Sequence, residues 1–239
     1  FIATNIAGGT HLESFDGKIR SVKKFNLPGR QLDMRLLISL TKEQWVAIAR
    51  QLQAFLTDEL INSSLRQLPP YIFAINGEKI IGNLKSRRYH LDQYAEVYYK
   101  YLNKRVSIQG SDKKELFKIS SPGNGQTMVS IYKMNTDLMV AEKPYFERMF
   151  NGDETNKIYI YGFKGKDVFD ISGIKKNKTE VHIIGFTKKD SLITETKPVQ
   201  KIVKIHKGNM EKYDTLMQHN FKIAPIIIVS PKENQVFKD

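Results

Sequence analysis

The spacing of apolar residues along the chain changes once, near Val106. Before that point it follows a helical period. The first 35 residues carry the turn signals Gly8-Gly9, Asp16-Gly17 and Pro28-Gly29 and are expected to form loop. In "TKEQWVAIARQLQAFL", Trp45, Ile48, Ala49, Leu52 and Leu56 fall on one helical face. Gln44 stands three positions after Thr41, which predicts a capping box. Thr57-Asp58 starts a second helix, continued by Ile61, Leu65 and Leu68 and stopped by Pro69-Pro70. "GEKIIGNLKSRRYHLDQYAEVYYKYLNKR" predicts a third helix and a fourth, the last striped by Leu91, Ala95, Tyr98 and Leu102.

Beyond Val106 the apolar residues come in short runs rich in β-branched and aromatic types: "ELFKIS", "QTMVSIYKM" and "KPYFERMF". Gly-Asn-Gly and Asp-rich turns separate them. Two stretches then echo each other, "IYIYGFKGKDVFDISG" from Ile158 and "VHIIGFTKKDSLIT" from Val181. Gly162 matches Gly185, Phe163 matches Phe186, and Asp167 matches Asp190, each pair twenty-three residues apart. "PVQKIVKIHKG" and "HNFKIAPIIIVSP" again predict strands. The expected fold is α+β: a loop and helical module over about 1–106, then an antiparallel β-rich module over about 107–239 with two echoing strand-turn-strand units.

The echo carries the first candidate chemistry. Calcium-binding β-roll loops stack Gly-rich turns so that a repeated Asp supplies hard oxygen ligands. Asp167 and Asp190 are therefore the candidate metal ligands, for calcium. Lys166 and Lys189 beside them oppose a dication, and only two turns repeat. The competing reading makes the units two successive turns of one β layer, with Gly162 and Gly185 at positive φ and the phenylalanines inward.

Composition adds a partner class and removes several others. Of 239 residues 41% are apolar and 26% charged, enough for one large or two small cores. There is no cysteine, hence no disulfide framework, zinc finger or thiol nucleophile. The formal charge of +13 attracts nucleic acid, anionic lipid or phosphorylated glycans. Lys85, Arg87, Arg88, Lys100, Lys104 and Arg105 are the candidate anion-binding set, interleaved with Tyr89, Tyr94, Tyr98, Tyr99 and Tyr101. Basic side chains plus stacking tyrosines are ingredients of single-strand nucleic-acid binding, but tyrosines at helical spacing more often form a buried stripe. No nucleic-acid-binding fold accompanies them, and on charge alone anionic lipid or glycan stands level with nucleic acid.

Catalytic patterns are missing. His11, His90, His182, His206 and His219 are scattered without ligand spacing. No phosphate loop, dinucleotide fingerprint or nucleophile elbow occurs. No apolar run reaches the ~20 residues of a spanning helix, whereas the ~10 residues of a barrel strand are within reach of the run around Ile223 to Val229. The chain opens on Phe1 without a leader and is expected to be a processed or excised piece of a longer protein.

"LPPYIFAINGEKIIGNLKSRR" and "YIYGFKGKDVFDISG", within matching residues 15–229, resemble the middle region of large envelope proteins of the Bacteroidota. In that family a calcineurin-like metallophosphoesterase precedes this region and a BamA/TamA-type surface-antigen barrel follows it. "LKSRRYHLDQYAEVYY" is similar, more weakly, to the closing helix of CotH-like kinase folds. The resemblance implies an outer-membrane-associated interaction region with residues 195–239 leading into the barrel. It carries over no catalytic residue, because the phosphoesterase metal motifs have no counterpart here. The implied role is a non-catalytic linker whose partners are an outer-membrane barrel, other envelope proteins, or anionic lipid and glycan. A kinase-like or phosphoesterase-associated enzyme remnant is the rival, and a nucleic-acid or glycolipid binder the third class.

Overall fold

A computed structural model describes residues 14–135, 139–175, 177–194 and 202–207. Among the described residues, six helices come first: α1 (Val22–Phe25), α2 (Arg30–Leu36), α3 (Lys42–Phe55), α4 (Asp58–Leu65), α5 (Pro70–Tyr89) and α6 (Leu91–Asn103). Nine described strands follow: β1 (Arg105–Gln109), β2 (Glu115–Ser120), β3 (Gln126–Lys133), β4 (Phe146–Asn151), β5 (Lys157–Tyr161), β6 (Val168–Asp170), β7 (Glu180–Phe186), β8 (Ser191–Ile193) and β9 (Val203–Lys207). The fold class is α+β, as the change of period implies. The expected strand "HNFKIAPIIIVSP" and most of 195–239 lie outside the described residues.

Local chemistry explains the helix ends. Thr41 and Gln44 form the capping box, the Gln44 N–H donating to Thr41 Oγ1 at 3.3 Å and the Thr41 N–H to Gln44 Oε1 at 2.8 Å. Thr57 Oγ1 accepts the Leu60 N–H and starts α4. Pro69-Pro70 ends α4 but also opens α5, with Pro70 at the first helical position, where its missing N–H and fixed φ cost nothing. The helix expected from Gly77 therefore begins seven residues earlier. The segment before 35, expected to be loop, holds the short helices α1 and α2, capped at Ser21 and Gly29.

The expectation of an antiparallel β module needs correction. One sheet has the order β1-β5-β7-β9 and is parallel throughout. The other has the order β4-β3-β2-β6-β8: the β2–β3 and β3–β4 pairs are antiparallel, while β2–β6 and β6–β8 are parallel. The echo is the reason. Each unit returns the chain to the same corner running the same way, so equivalent strands stack in parallel. The result is a two-sheeted coil in which β1–β2, β5–β6 and β7–β8 are successive rungs. Register carries like side-chain types from rung to rung: Ile108, Ile160 and Ile183 are aligned, as are the large apolar Phe117, Phe169 and Leu192. The Phe117 and Phe169 rings stack at 4.7 Å. These side chains form the main core between the sheets.

The helices adjoin the first rung. A smaller cluster of Val22, Tyr98 and Leu102, with Trp45 and Tyr94 against it, holds them together. Of the expected α3 stripe, Ala49 is buried, while Ile48 and Leu52 stay about half exposed. No helix among the described residues is long and apolar enough to cross a membrane.

Candidate functional site

The two echoed aspartates do come together, in a ladder that includes a third acid. Glu115, Asp167 and Asp190 occupy the same position on consecutive rungs, Glu115 as the first residue of β2 and the aspartates just before β6 and β8. Each lower carboxylate accepts the backbone N–H of the acid above. The Glu115 N–H donates to Asp167 Oδ1 at 3.1 Å, and the Asp167 N–H to Asp190 Oδ1 at 3.0 Å. The ladder ends are closed by their own turns. Glu115 accepts from the Ser111 N–H, Ser111 Oγ and Tyr145 Oη, and Asp190 from the Thr187 N–H and Thr187 Oγ1.

Glu115 belongs to the same repeat. Gly110 precedes it by five residues, as Gly162 precedes Asp167 and Gly185 precedes Asp190. The signal was hidden because fifty-two residues separate Gly110 from Gly162, the β3–β4 hairpin having entered between the rungs. The glycines make room for the carboxylates: a Cβ on Gly110 would sit 2.4 Å from Glu115 Oε2, and one on Gly162 would sit 2.8 Å from Asp167 Oδ2. Positive φ falls at Phe163, Gly165 and Gly185 but not at Gly162, which corrects that part of the expectation. Phe186 packs on the core as expected, whereas Phe163 stacks on Tyr161 at 6.2 Å.

Electrostatically the middle of the ladder is the unusual place. Asp167 is 2% exposed. Burial pushes its carboxyl up to about 8; the Glu115 N–H works the other way, and the Asp190 and Glu115 charges push further upward. Asp167 is therefore mostly protonated at neutral pH. The Tyr145 hydroxyl is pushed up as well, by burial and by its bond to Glu115. Lys166 and Lys189 are exposed to solvent. Among the described residues no group of three His, Asp or Glu is arranged to hold a metal ion.

The candidate anion-binding set is distributed over separate tasks. Lys85 and Arg88 both pair with Asp58, at 3.0 and 2.6 Å. Arg87 donates to the Asp16 carbonyl at 2.7 Å and lies over the Phe15 and Phe25 rings. Lys100 pairs with Glu96 at 2.6 Å. Lys104 is exposed, and Arg105 opens β1 opposite Lys157. The interleaved tyrosines mostly hold the N-terminal segment. Tyr94 Oη accepts from the Ile19 N–H, Tyr98 Oη donates to Asp33, and Tyr101 Oη accepts from Arg30. Of the five only Tyr89 is largely exposed.

Two further polar constellations matter. Arg148 on β4 is 5% exposed and, among the described residues, has no carboxylate partner within ion-pair distance. It donates to the Ile38 carbonyl, to Tyr99 Oη and to Asn103 Oδ1, and its guanidinium lies 4.5 Å from the Phe150 ring centroid. One side chain thus joins the α2–α3 connection, α6 and the second sheet. Lys42 and Glu154 add an ion pair of 2.6 Å between the same layers. On the outer face of the parallel sheet, His182 Nδ1 lies 3.0 Å from His206 Nε2 and His182 Nε2 3.2 Å from Glu180. Burial lowers the affinity of both imidazoles for a proton. The set is satisfied with both neutral, His206 donating to His182 and His182 to Glu180.

A shallow groove of about 650 Å³ lies along α3 and Glu96 of α6, lined by Lys42, Glu43, Val46, Arg50 and neighbours. The class these features define is a helical layer fused to a parallel β coil. Compared with known proteins, the chain matches no family model, no curated protein and no solved structure.

Proposed function

We propose that the chain is a non-catalytic spacer and interaction region of an outer-membrane-anchored envelope protein, holding an enzymatic head relative to a barrel. The observation that carries this reading is the passage from helix to coil. α6 ends at Asn103 and β1 begins at Arg105, so no flexible linker separates the layers. Arg148 and the Lys42–Glu154 pair lock them at fixed orientation. From there the coil advances by roughly 4.8 Å per parallel strand. A head attached before the helices and a barrel attached after the coil would be held at a set separation. The described polar clusters bond mainly within the fold rather than converging on an open cleft, which agrees with a role in support.

The test uses the full-length parent protein and the purified chain. The parent is expected in the outer-membrane fraction, and the chain is expected to turn over neither phosphate esters nor nucleotides. A parent that fractionates as soluble cytosol, or robust turnover by the chain, overturns the reading.

A further inference from the structure

The helical hairpin α4–α5 has features that a support role does not use. α5 runs from Pro70 to Tyr89, and the hydrogen bonds that tie it to other parts of the described fold come from its C-terminal half. Asn83 donates to the Phe15 carbonyl, Arg87 to the Asp16 carbonyl, and the Arg88 carbonyl accepts from Gln53. The N-terminal half packs on α4, through Arg66 over Phe73 and Arg66 against Glu78. From Asn83 to the tip at Pro70 the arm extends by ~20 Å.

That tip is apolar, lacks acids and has few free donors. Tyr71 is 70% exposed, Ile75 72% and Ile72 40%. Between Glu59 and Glu78 there is no acidic residue and one base, Arg66. Pro69 and Pro70 have no N–H to leave bare. Four of the five backbone N–H groups from Gln67 to Phe73 are used: that of Gln67 by Ser64 O, that of Leu68 by Leu65 O, and those of Ile72 and Phe73 by Pro69 O, with Tyr71 the exception. A protein partner makes no such demand, because water or the partner can satisfy a tip. A bilayer does, because each bare backbone group costs several kcal/mol in hydrocarbon. Tyrosine suits the headgroup boundary, and a surface with net positive charge suits anionic headgroups.

We propose that the tip of the α4–α5 hairpin, around Leu68 to Ile75, inserts shallowly into one leaflet of an anionic lipid bilayer and anchors the helical layer there. The insertion depth would be ~5–10 Å, that of an interfacial helix. The hairpin would behave this way in any parent protein, so the spacer reading is not required.

The chain has no cysteine, so a single engineered thiol can be labelled cleanly. Asn76→Cys, next to the tip, and Lys188→Cys, exposed on the coil, each carry an environment-sensitive dye on the full chain. The probes are vesicles of three parts phosphatidylcholine to one part phosphatidylglycerol. The expected result is a blue shift and protection from aqueous iodide at position 76 but not at 188. Tyr71→Asp with Ile75→Asp is expected to weaken vesicle partitioning by about tenfold or more with the melting temperature held, because both side chains are exposed. Should that variant melt early, Tyr71→Ser with Ile75→Ser replaces it. A label at 76 that stays quenchable, a double variant that binds as the parent chain does, or a blue shift without vesicles that grows with protein concentration each overturns the proposal. The second outcome would mean attraction by general basic charge, and the third a second copy on the tip.

Discussion

Replacing Asp167 with asparagine changes one property of the acid ladder, the ability to ionise. The amide keeps an Oδ1 acceptor for the Glu115 N–H, whose bond is 3.1 Å in the native chain. The folded Asp167 carboxyl titrates near 8, against 3.8 for an ordinary aspartate. Below about pH 4 both folded and unfolded chains hold the proton, and the protonated group's contribution is fully present. As pH rises toward 8 the folded chain retains a proton that the unfolded chain has released. Native stability then falls by about 1.4 kcal/mol per pH unit from this group. Above about 8 the loss is complete, at most about 6 kcal/mol. Asp167→Asn escapes this loss. Urea unfolding at pH 5, 6, 7, 8 and 9 should show the stability difference moving in the variant's favour by about 1.4 kcal/mol per unit up to about pH 7.5, then levelling off. A constant offset between the two chains is allowed, since the slope carries the information. Parallel stability curves would show that Asp167 is an ordinary ionised carboxylate and that the ladder is wetter than its geometry indicates.

Three other perturbations test separate parts of the structure. Arg148→Ala leaves the Ile38 carbonyl, Tyr99 and Asn103 without their donor and should cost about 3 kcal/mol in urea unfolding; a loss below about 1 kcal/mol would mean the helical layer is held by other contacts. Two glycine replacements should move in opposite directions in thermal melts. Gly162→Ala puts a methyl 2.8 Å from Asp167 Oδ2 and 3.0 Å from Phe169 and should destabilise by about 1–3 kcal/mol, whereas Gly82→Ala meets nothing within 4 Å in α5 and should stabilise by about 0.5–1 kcal/mol. Calorimetric titration with millimolar calcium should give no heat and no rise in melting temperature, because the ladder oxygens already accept backbone and hydroxyl donors. A rise that disappears in Asp167→Asn would instead make the ladder a metal site.

Much of the local structure could be read before the fold was seen. The capping box at Thr41, the strand "ELFKIS" and the stripe of Tyr98 and Leu102 all rest on short-range rules of spacing and capping. The direction of the sheets rests on long-range pairing, which short spacing does not reveal. "QTMVSIYKM" and "KPYFERMF" do pair antiparallel across one turn region. The echoing units look alike as local strand-turn-strand units, and only the recurrence of the same corner shows that they stack in parallel. The Glu115 rung was concealed by the inserted hairpin and by Glu standing where the others have Asp. Arg148 could not have been singled out: its neighbours in sequence are ordinary strand residues, and its partners lie 45 to 110 positions away. The basic cluster at Lys85 to Arg105 illustrates the converse. Its charge is obvious in the sequence, but the pairing of Lys85 and Arg88 with Asp58 depends on the hairpin's path.

The β3–β4 hairpin falls between the first rung and the second in sequence but lies beyond β2 in the sheet, so β1 meets β5 in the same parallel alignment with which β5 meets β7. The coil therefore accepts a cassette of foreign length at a corner without losing its phase. Whatever is spliced there leaves the column of isoleucines and the column of acids in place, so this corner is where new recognition loops could be acquired, or grafted by design, while the rest of the molecule keeps its dimensions.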